Sequence, residues 1–371
     1  MRLMKKLLLN NKDHRVVLPI IFFLLPILLS ACANVGPKSI SMGRLNYNEA
    51  INSTEDKQLL LSVVKGCYGE TSSLLAVNGV AANIKFSSRA GVQAGFGPEE
   101  NYAGNLVPFS GGLVYEENPT ITYTPVHGEK FLRQLLSPVP LDILILFMNS
   151  TGDSSKTLTL LANRINDMRN PAFPDEMAGA ADLEFHRFTE LFNELNKAGI
   201  IQVVANPGNG APYGIMLTGY PPGYSKKINE FLLLSGFSMP TEKNREILIP
   251  VYSGIKKREV DGIAISTRST YDLIQILRAA VEIPQEHIDT GLAVASPLMG
   301  AAGENIHIHV SKDEPDDAVV TVKYRGYWFF ISETDMPSKL FYKMARTLWS
   351  ITIDAAADHN AAPLLTIPVG R

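Results

Sequence analysis

The sequence predicts an α+β fold of mixed helices and mostly antiparallel strands, in one or two domains. Two observations carry the prediction. Segments of helical and strand periodicity are interleaved without a regular βαβ rhythm, which disfavours a doubly wound parallel sheet. The chain is also 46% apolar and 19% charged over 371 residues, so it has enough apolar material to bury a core and is not disordered.

In chain order, a helix is expected from Glu55 to Gly66, with Leu60, Val63, Val64 and Cys67 on one face. Leu74–Phe86 reads as one or two strands with Asn78-Gly79 as a tight turn. Ser88–Asn105 reads as a Gly-rich loop, and 113–124 as a strand pair around Glu117-Asn118-Pro119. Helices follow at 128–136 and 141–148, the latter read as buried. An amphipathic helix is expected through Leu158, Leu161, Ile165 and Met168, stopping before Asn170-Pro171, and another from Asp182 to Gly199. Ile200–Ala205 is a strand, and 225–234 a helix. Strands are expected at 247–252 and 262–265. Ser269-x-x-Asp272 opens a helix through Leu273, Ile276 and Leu277 that Pro284 ends. Ile306, Ile308 and Val310 alternate as a strand. Residues 319–331 read as a hairpin turning near Arg325-Gly326 or as one bulged strand, and Leu340 to Ile351 as a last helix.

The N-terminus sets the expected address. A basic segment (Arg2, Lys5, Lys6, Lys12, Arg15) precedes an uncharged run from Val16 to Leu29, interrupted by Pro19 and Pro26. Such a run is too short to span a bilayer comfortably and matches a secretory signal. It ends in Leu29-Ser30-Ala31-Cys32, which resembles the bacterial lipoprotein signal. The resemblance implies cleavage before Cys32, acylation of Cys32 (palmitate among the chains) and a lipid-anchored protein. Ala33, where Asp would favour inner-membrane retention, points to the outer membrane, facing the periplasm. The expected organisation is a signal peptide at 1–31, a tether at 32–44, an N-terminal α+β domain at 45–205, a linker at 206–224 and a C-terminal α+β domain at 225–371. Net charge is −3 for the full chain. It becomes more negative once the basic leader is removed, which argues against nucleic acid as a partner. With Cys32 acylated, Cys67 is left without a disulfide partner and reads as a buried structural thiol.

Further residues carry a resemblance across the body. Leu45-Asn46-Tyr47-Asn48-Glu49-Ala50-Ile51, Lys57-Gln58-Leu59-Leu60-Leu61, Ile121-Thr122-Tyr123-Thr124-Pro125, Gly128-Glu129-Lys130-Phe131, Thr267-Arg268-Ser269 and Tyr324-Arg325-Gly326-Tyr327-Trp328-Phe329 occur in that order. Together they resemble an uncharacterised family of predicted bacterial lipoproteins. The resemblance implies no activity, ligand or catalytic residue.

Motifs for chemistry are sparse. Neither a nucleotide-binding Gly-rich loop nor a G-x-S-x-G elbow occurs. Ser62-Val63-Val64-Lys65 fits S-x-x-K, but no S-D-N or K-T-G follows. His307 and His309, at i and i+2 of a strand, put both rings on one face and are the candidate metal ligands, with Glu304 near in sequence. A plain sheet surface explains the same spacing. Lys312–Asp317 reads as a solvated acidic loop. Tyr327, Trp328 and Phe329 are candidate binding residues, although core on both faces of that strand is the simpler reading. No cofactor is expected.

The sequence thus favours a lipid-anchored envelope protein acting as a non-enzymatic scaffold or assembly factor with a protein partner. Ser88–Asn105 and Asn206–Gly223 are the expected contact elements. The alternatives are a metal-dependent hydrolase of cell wall or lipid using His307 and His309, and a glycan- or peptide-binding module.

Overall fold

The computed structural model describes residues 35–71, 74–81, 84–92, 109–117, 120–171, 179–207, 210–237, 246–255, 261–294, 306–357 and 365–368. Cys32 lies outside them. The chain divides into two compact units, one made from 1–55, 80–120 and 368–371, the other from 56–79 and 121–367. The fold is α+β, and most paired strands are antiparallel.

The smaller unit holds the start of helix α1 (Val35–Cys67) and an antiparallel pair, β2 (Ile84–Val92) with β3 (Phe109–Glu117). Residues 35–44, expected as a tether, are helical. Ser88–Val92, expected as loop, continues β2, while 93–105 fall outside the described residues.

β1 (Leu74–Ala81) and β4 (Thr120–Val126), most of whose residues belong to the larger unit, form a three-stranded sheet with β14 (Leu365–Pro368). Asn78-Gly79 lies inside β1 and is not a turn. β3 and β4 flank Asn118-Pro119 as expected, but they belong to different sheets and do not pair.

A six-stranded sheet forms the centre. Its members are β5 (Ala162–Ile165), β6 (Met168–Arg169), β7 (Ile201–Ala205), β8 (Tyr213–Leu217), β9 (Ile247–Ser253) and β10 (Ile263–Thr267), in the order β6-β5-β10-β9-β8-β7. Only β9 and β10 are parallel. β9 alternates buried Ile247, Ile249 and Val251 with half-buried residues, the period-2 pattern of a strand. Helices α3 (Leu141–Thr151), α4 (Ser154–Leu161) and α5 (Gly179–Lys197) pack Met148, Leu158, Phe188 and Phe192 toward Val203, Ile215 and Val251, leaving an apolar cavity of about 20 Å³. α5 in turn stacks Phe188 on Phe231 of α6 (Ser225–Leu234), ring centroids 5.2 Å apart. α3, read as a buried helix, buries Leu141, Leu144 and Met148 while Leu146 is 62% exposed.

β8 pairs with both β7 and β9, so the 206–224 stretch joins neighbouring strands of one sheet rather than two bodies. The larger unit draws on residues from both sides of that stretch. A third sheet comprises β11 (His309–Ser311), β12 (Ala318–Tyr324) and β13 (Tyr327–Ser332), in the order β11-β13-β12. β12 and β13 turn through Arg325 (φ 47°) and Gly326 (φ 87°). Two successive positive φ values are what a tight hairpin turn needs, and Gly adopts them without strain. Val320, Val322, Phe329 and Ile331 are buried toward α9 (Met336–Ala356), where Phe341, Met344 and Leu348 meet them in one core. α2 (Glu129–Leu136) and α7 (Thr270–Ala279) pack against α9 as well.

One expected helix ends early. α4 stops at Leu161, and Ile165 and Met168 are strand residues. The cause is Arg268, whose side chain is 1% exposed. Its Nη1 donates to the carbonyls of Thr159, Leu160 and Ala162 at 2.8, 2.8 and 3.0 Å, and its Nη2 donates to Asn170 O. Asn170 Nδ2 donates to Thr159 O and Ala162 O at 2.7 and 2.8 Å. The carbonyls that a longer helix would have satisfied therefore have partners, and the chain is free to leave as a strand. Burial pulls the Arg268 guanidinium down to about 10, opposed by Asp272, so it stays charged at neutral pH. Asp272 itself closes a capping box with Ser269, the N-cap of α7.

Replacing Arg268 with Met strips partners from buried carbonyls. We expect a loss of about 3–5 kcal/mol of stability and a thermal midpoint roughly 10 °C lower, measured by calorimetry. Arg268→Lys, which keeps the charge but not the fork, should recover only part of the loss.

Candidate functional site

The candidate residues gather around the β11-β13-β12 sheet. His309 stands opposite Phe330, and Ser311 opposite Trp328. Across β13, Phe330 faces Thr321 and Trp328 faces Lys323. His309, Phe330 and Trp328 therefore share the face turned away from the core, and all three are half-buried. The reading of both faces as core fails here, because the fully buried residues of β13, Phe329 and Ile331, lie on one face only. Lys323 Nζ lies 5.2 Å from the Trp328 ring centroid, within cation–π range.

The strand expected from Ile306 starts only at His309, so His307 precedes it, yet the two imidazoles still come together. Their rings stack at 6.0 Å with an interplanar angle of 17°. His309 Nδ1 lies 3.0 Å from Glu282 Oε1, and the other carboxylate oxygen accepts from Val310 N at 3.3 Å. A carboxylate on Nδ1 is the arrangement that favours the tautomer with its proton there, leaving Nε2 as the nitrogen a metal would use. Glu282 was not legible as a neighbour, since it lies 27 residues away in sequence. Glu304 lies outside the described residues. Among the described residues, no group of three or more His, Cys, Asp or Glu is arranged to hold a metal ion.

A second cluster lies at the β12–β13 turn, on the Phe329 side. Arg325 sits 5.4 and 5.5 Å from the Tyr68 and Tyr324 ring centroids and pairs with Glu70 at 2.7 Å. The hydrogen bonds from Tyr324 and Arg325 lower the Glu70 carboxyl, and the bond to Glu70 raises the Arg325 guanidinium. Tyr68 OH is 2.8 Å from His287 Nδ1, and burial pushes the Tyr68 phenol up to about 12. His287, in α8 (Gln285–Asp289), also meets Tyr327 edge-on at 5.3 Å. Tyr327 OH donates to Glu286 at 2.6 Å, which raises its phenol. Each charge or ring here is engaged by another side chain of the same cluster. Tyr327 is thus a fixed part of the cluster, and Phe329 is core.

Cys67 ends α1 in a buried position, with Sγ 3.6 Å from Val63 O and 3.5 Å from Arg278 O. Burial pushes its thiol up to about 11, against the opposing charge of Arg278. Arg278 Nη2 also donates to Gly66 O, and a Cβ at Gly66 would come within 2.7 Å of Arg278 Nε. Ser62 and Lys65 occupy the same helix as expected, both half-buried.

Comparison of the chain with protein-family models, curated proteins and solved structures finds no match.

The Cys67 environment has a direct readout. In the folded protein, iodoacetamide labelling should follow a pH midpoint near 11 rather than 9. At pH 8 the thiolate fraction is then about a hundredfold below that of an unperturbed thiol, before any steric protection. Denaturant should restore the ordinary rate.

Proposed function

We propose that the chain is a lipid-anchored envelope protein that works as a non-enzymatic scaffold or assembly factor, held to the membrane by an acylated Cys32. The observation that carries the non-enzymatic part is how the candidate side chains are used. Arg325, Glu70, Tyr68, His287, Tyr327 and Glu286 engage one another, and Arg268 is spent on backbone carbonyls. The core cavity of about 20 Å³ is lined by apolar groups, far below the several hundred Å³ of a ligand pocket. The signal-like N-terminus supports the address. A clickable fatty acid fed to producing cells should label the wild type and not Cys32→Ala. Crosslinking in intact cells should then recover a complex by mass spectrometry. Equal labelling of both forms overturns the anchor, and recovery of monomer alone overturns the scaffold.

Glu282 on His309 Nδ1 favours one second reading, a metal-dependent hydrolase built on His307 and His309. Purified protein would then bind one zinc ion per chain, lost in the His307→Ala/His309→Ala double variant and weakened about 10–100-fold in Glu282→Gln. Zinc binding that is absent, or indifferent to these changes, removes this reading.

A further inference from the structure

The β2–β3 hairpin is built unlike the other sheets. Among the described residues neither strand pairs with a third. A lone two-stranded hairpin is marginal in water, and its outer edges present rows of unsatisfied backbone groups. Yet each strand runs for nine residues in unbroken register, from Ile84 opposite Glu117 to Val92 opposite Phe109.

The register sorts the residue types. Ile84, Phe86, Ala90 and Val92 occupy alternate positions of β2, and Phe109, Leu113 and Tyr115 are their counterparts on the same face. The intervening positions hold Lys85, Ser87 and Arg89 on β2, and Ser110, Gly112 and Glu116 on β3. Lys85 stands directly opposite Glu116. The exceptions are few. Ser88 lies on the apolar face, Val114 lies on the polar face, and Glu117 is the last residue of β3. Aromatic positions mark both ends of the apolar face, with Phe86 paired with Tyr115 at one and Phe109 at the other.

Apolar-out and polar-in alternation over about ten residues, with aromatic girdles at both ends, is the pattern of a strand in a membrane barrel. The length also fits. Nine residues at about 3.3 Å each reach about 30 Å, and a tilt of about 40° brings that close to the ~25 Å apolar band of such barrels. In hydrocarbon a hairpin cannot stand alone, because every backbone group must be paired. One chain offers one such hairpin among its described residues, so further copies are the natural source of the missing strands. Rotation about a ring axis would set β3 of one copy beside β2 of the next, keeping every neighbour antiparallel and the strand number even.

We propose that the β2–β3 hairpin inserts into a lipid bilayer and pairs edge to edge with the same hairpin of other copies of this chain, closing a β-barrel with a polar lumen. At least about eight strands are needed, hence about four copies or more. The inference deepens the envelope reading and rests on it for the address. It replaces an unidentified partner with the chain itself.

The test uses full-length lipidated protein reconstituted into vesicles of equal parts phosphatidylethanolamine and phosphatidylglycerol. An environment-sensitive fluorophore is placed at Ser87→Cys or at Ser88→Cys, adjacent positions on opposite faces. Nitroxide-labelled lipid should quench the probe at 88 and not at 87. Leu113→Arg should reduce ion leakage through the vesicles by about tenfold or more, whereas Ser110→Arg should leave the assembly intact and alter its ion selectivity. A cooperative thermal transition unchanged from wild type confirms that each variant has folded. Equal quenching at both positions, or none at either, overturns the proposal, as does wild-type leakage in Leu113→Arg. If Cys32 is acylated but the probes show no alternation, the hairpin proposal fails and the scaffold reading stands. If Cys32 is not acylated, the address fails, and quenching on vesicles still decides the hairpin.

Discussion

One buried cation holds together the part of the chain on which the central sheet is built. Arg268 directly follows β10, and its guanidinium collects carbonyls from the end of α4, the start of β5 and Asn170 just beyond β6. Its own backbone is stitched on both sides, with N–H donating to Leu161 O and the carbonyl accepting from Val139 N. A lysine would bring the charge without the planar fork that reaches several acceptors at once. Without those bonds the α4–β5 junction would hold buried carbonyls with no donor, and the β6-β5-β10 edge of the sheet would lose its reason to turn there. Asn166 adds a matching contact at the β5–β6 turn. It accepts φ 51°, receives Ala264 N on its side chain and donates to Ser235 O, tying that edge to the end of α6.

Elements whose determinants are neighbours in sequence are legible in the sequence. The capping box at Ser269 and Asp272, the turn at Arg325-Gly326, and helices such as α6 follow from a few neighbouring residues. The α4 reading failed for a definable reason. Leu158, Leu161, Ile165 and Met168 are all buried, so their spacing looks helical, but the last two reach the core from strands. The information that stops the helix resides in Arg268, more than a hundred residues later. β8 was missed because Tyr213–Leu217 follows a Pro- and Gly-rich stretch, a composition that argues for a linker until its two neighbours in the sheet are known.

The candidate site divides along the same line. The nearness of His307 to His309 is suggested by strand period, although the strand itself begins only at His309. Glu282, which gives His309 its orientation, and Glu70, which holds Arg325 from 255 residues away, have no such signal. The aromatic run 327–330 illustrates an intermediate case. Period 2 separates its faces, but only packing on α9 decides that Phe329 is core while Trp328 and Phe330 stay half-buried beneath solvent-facing partners such as Lys323.

The central sheet also dictates when the chain can fold. Its β5–β10 contact sets Ile165 beside Ile265, and the turn at Asn166 is fixed by Ala264, 98 residues on. Closing so long a loop costs entropy before any contact rewards it, so such topologies fold slowly and late. During synthesis from the N-terminus, β5 and β6 emerge able to pair only with each other, without β10 and without the guanidinium that caps the end of α4. The core cannot assemble until roughly three-quarters of the polypeptide has been made. Until then Asn166 has neither Ala264 to receive nor a β10 to stand beside, so the edge strands of the central sheet are among the last parts of the larger unit to become fixed.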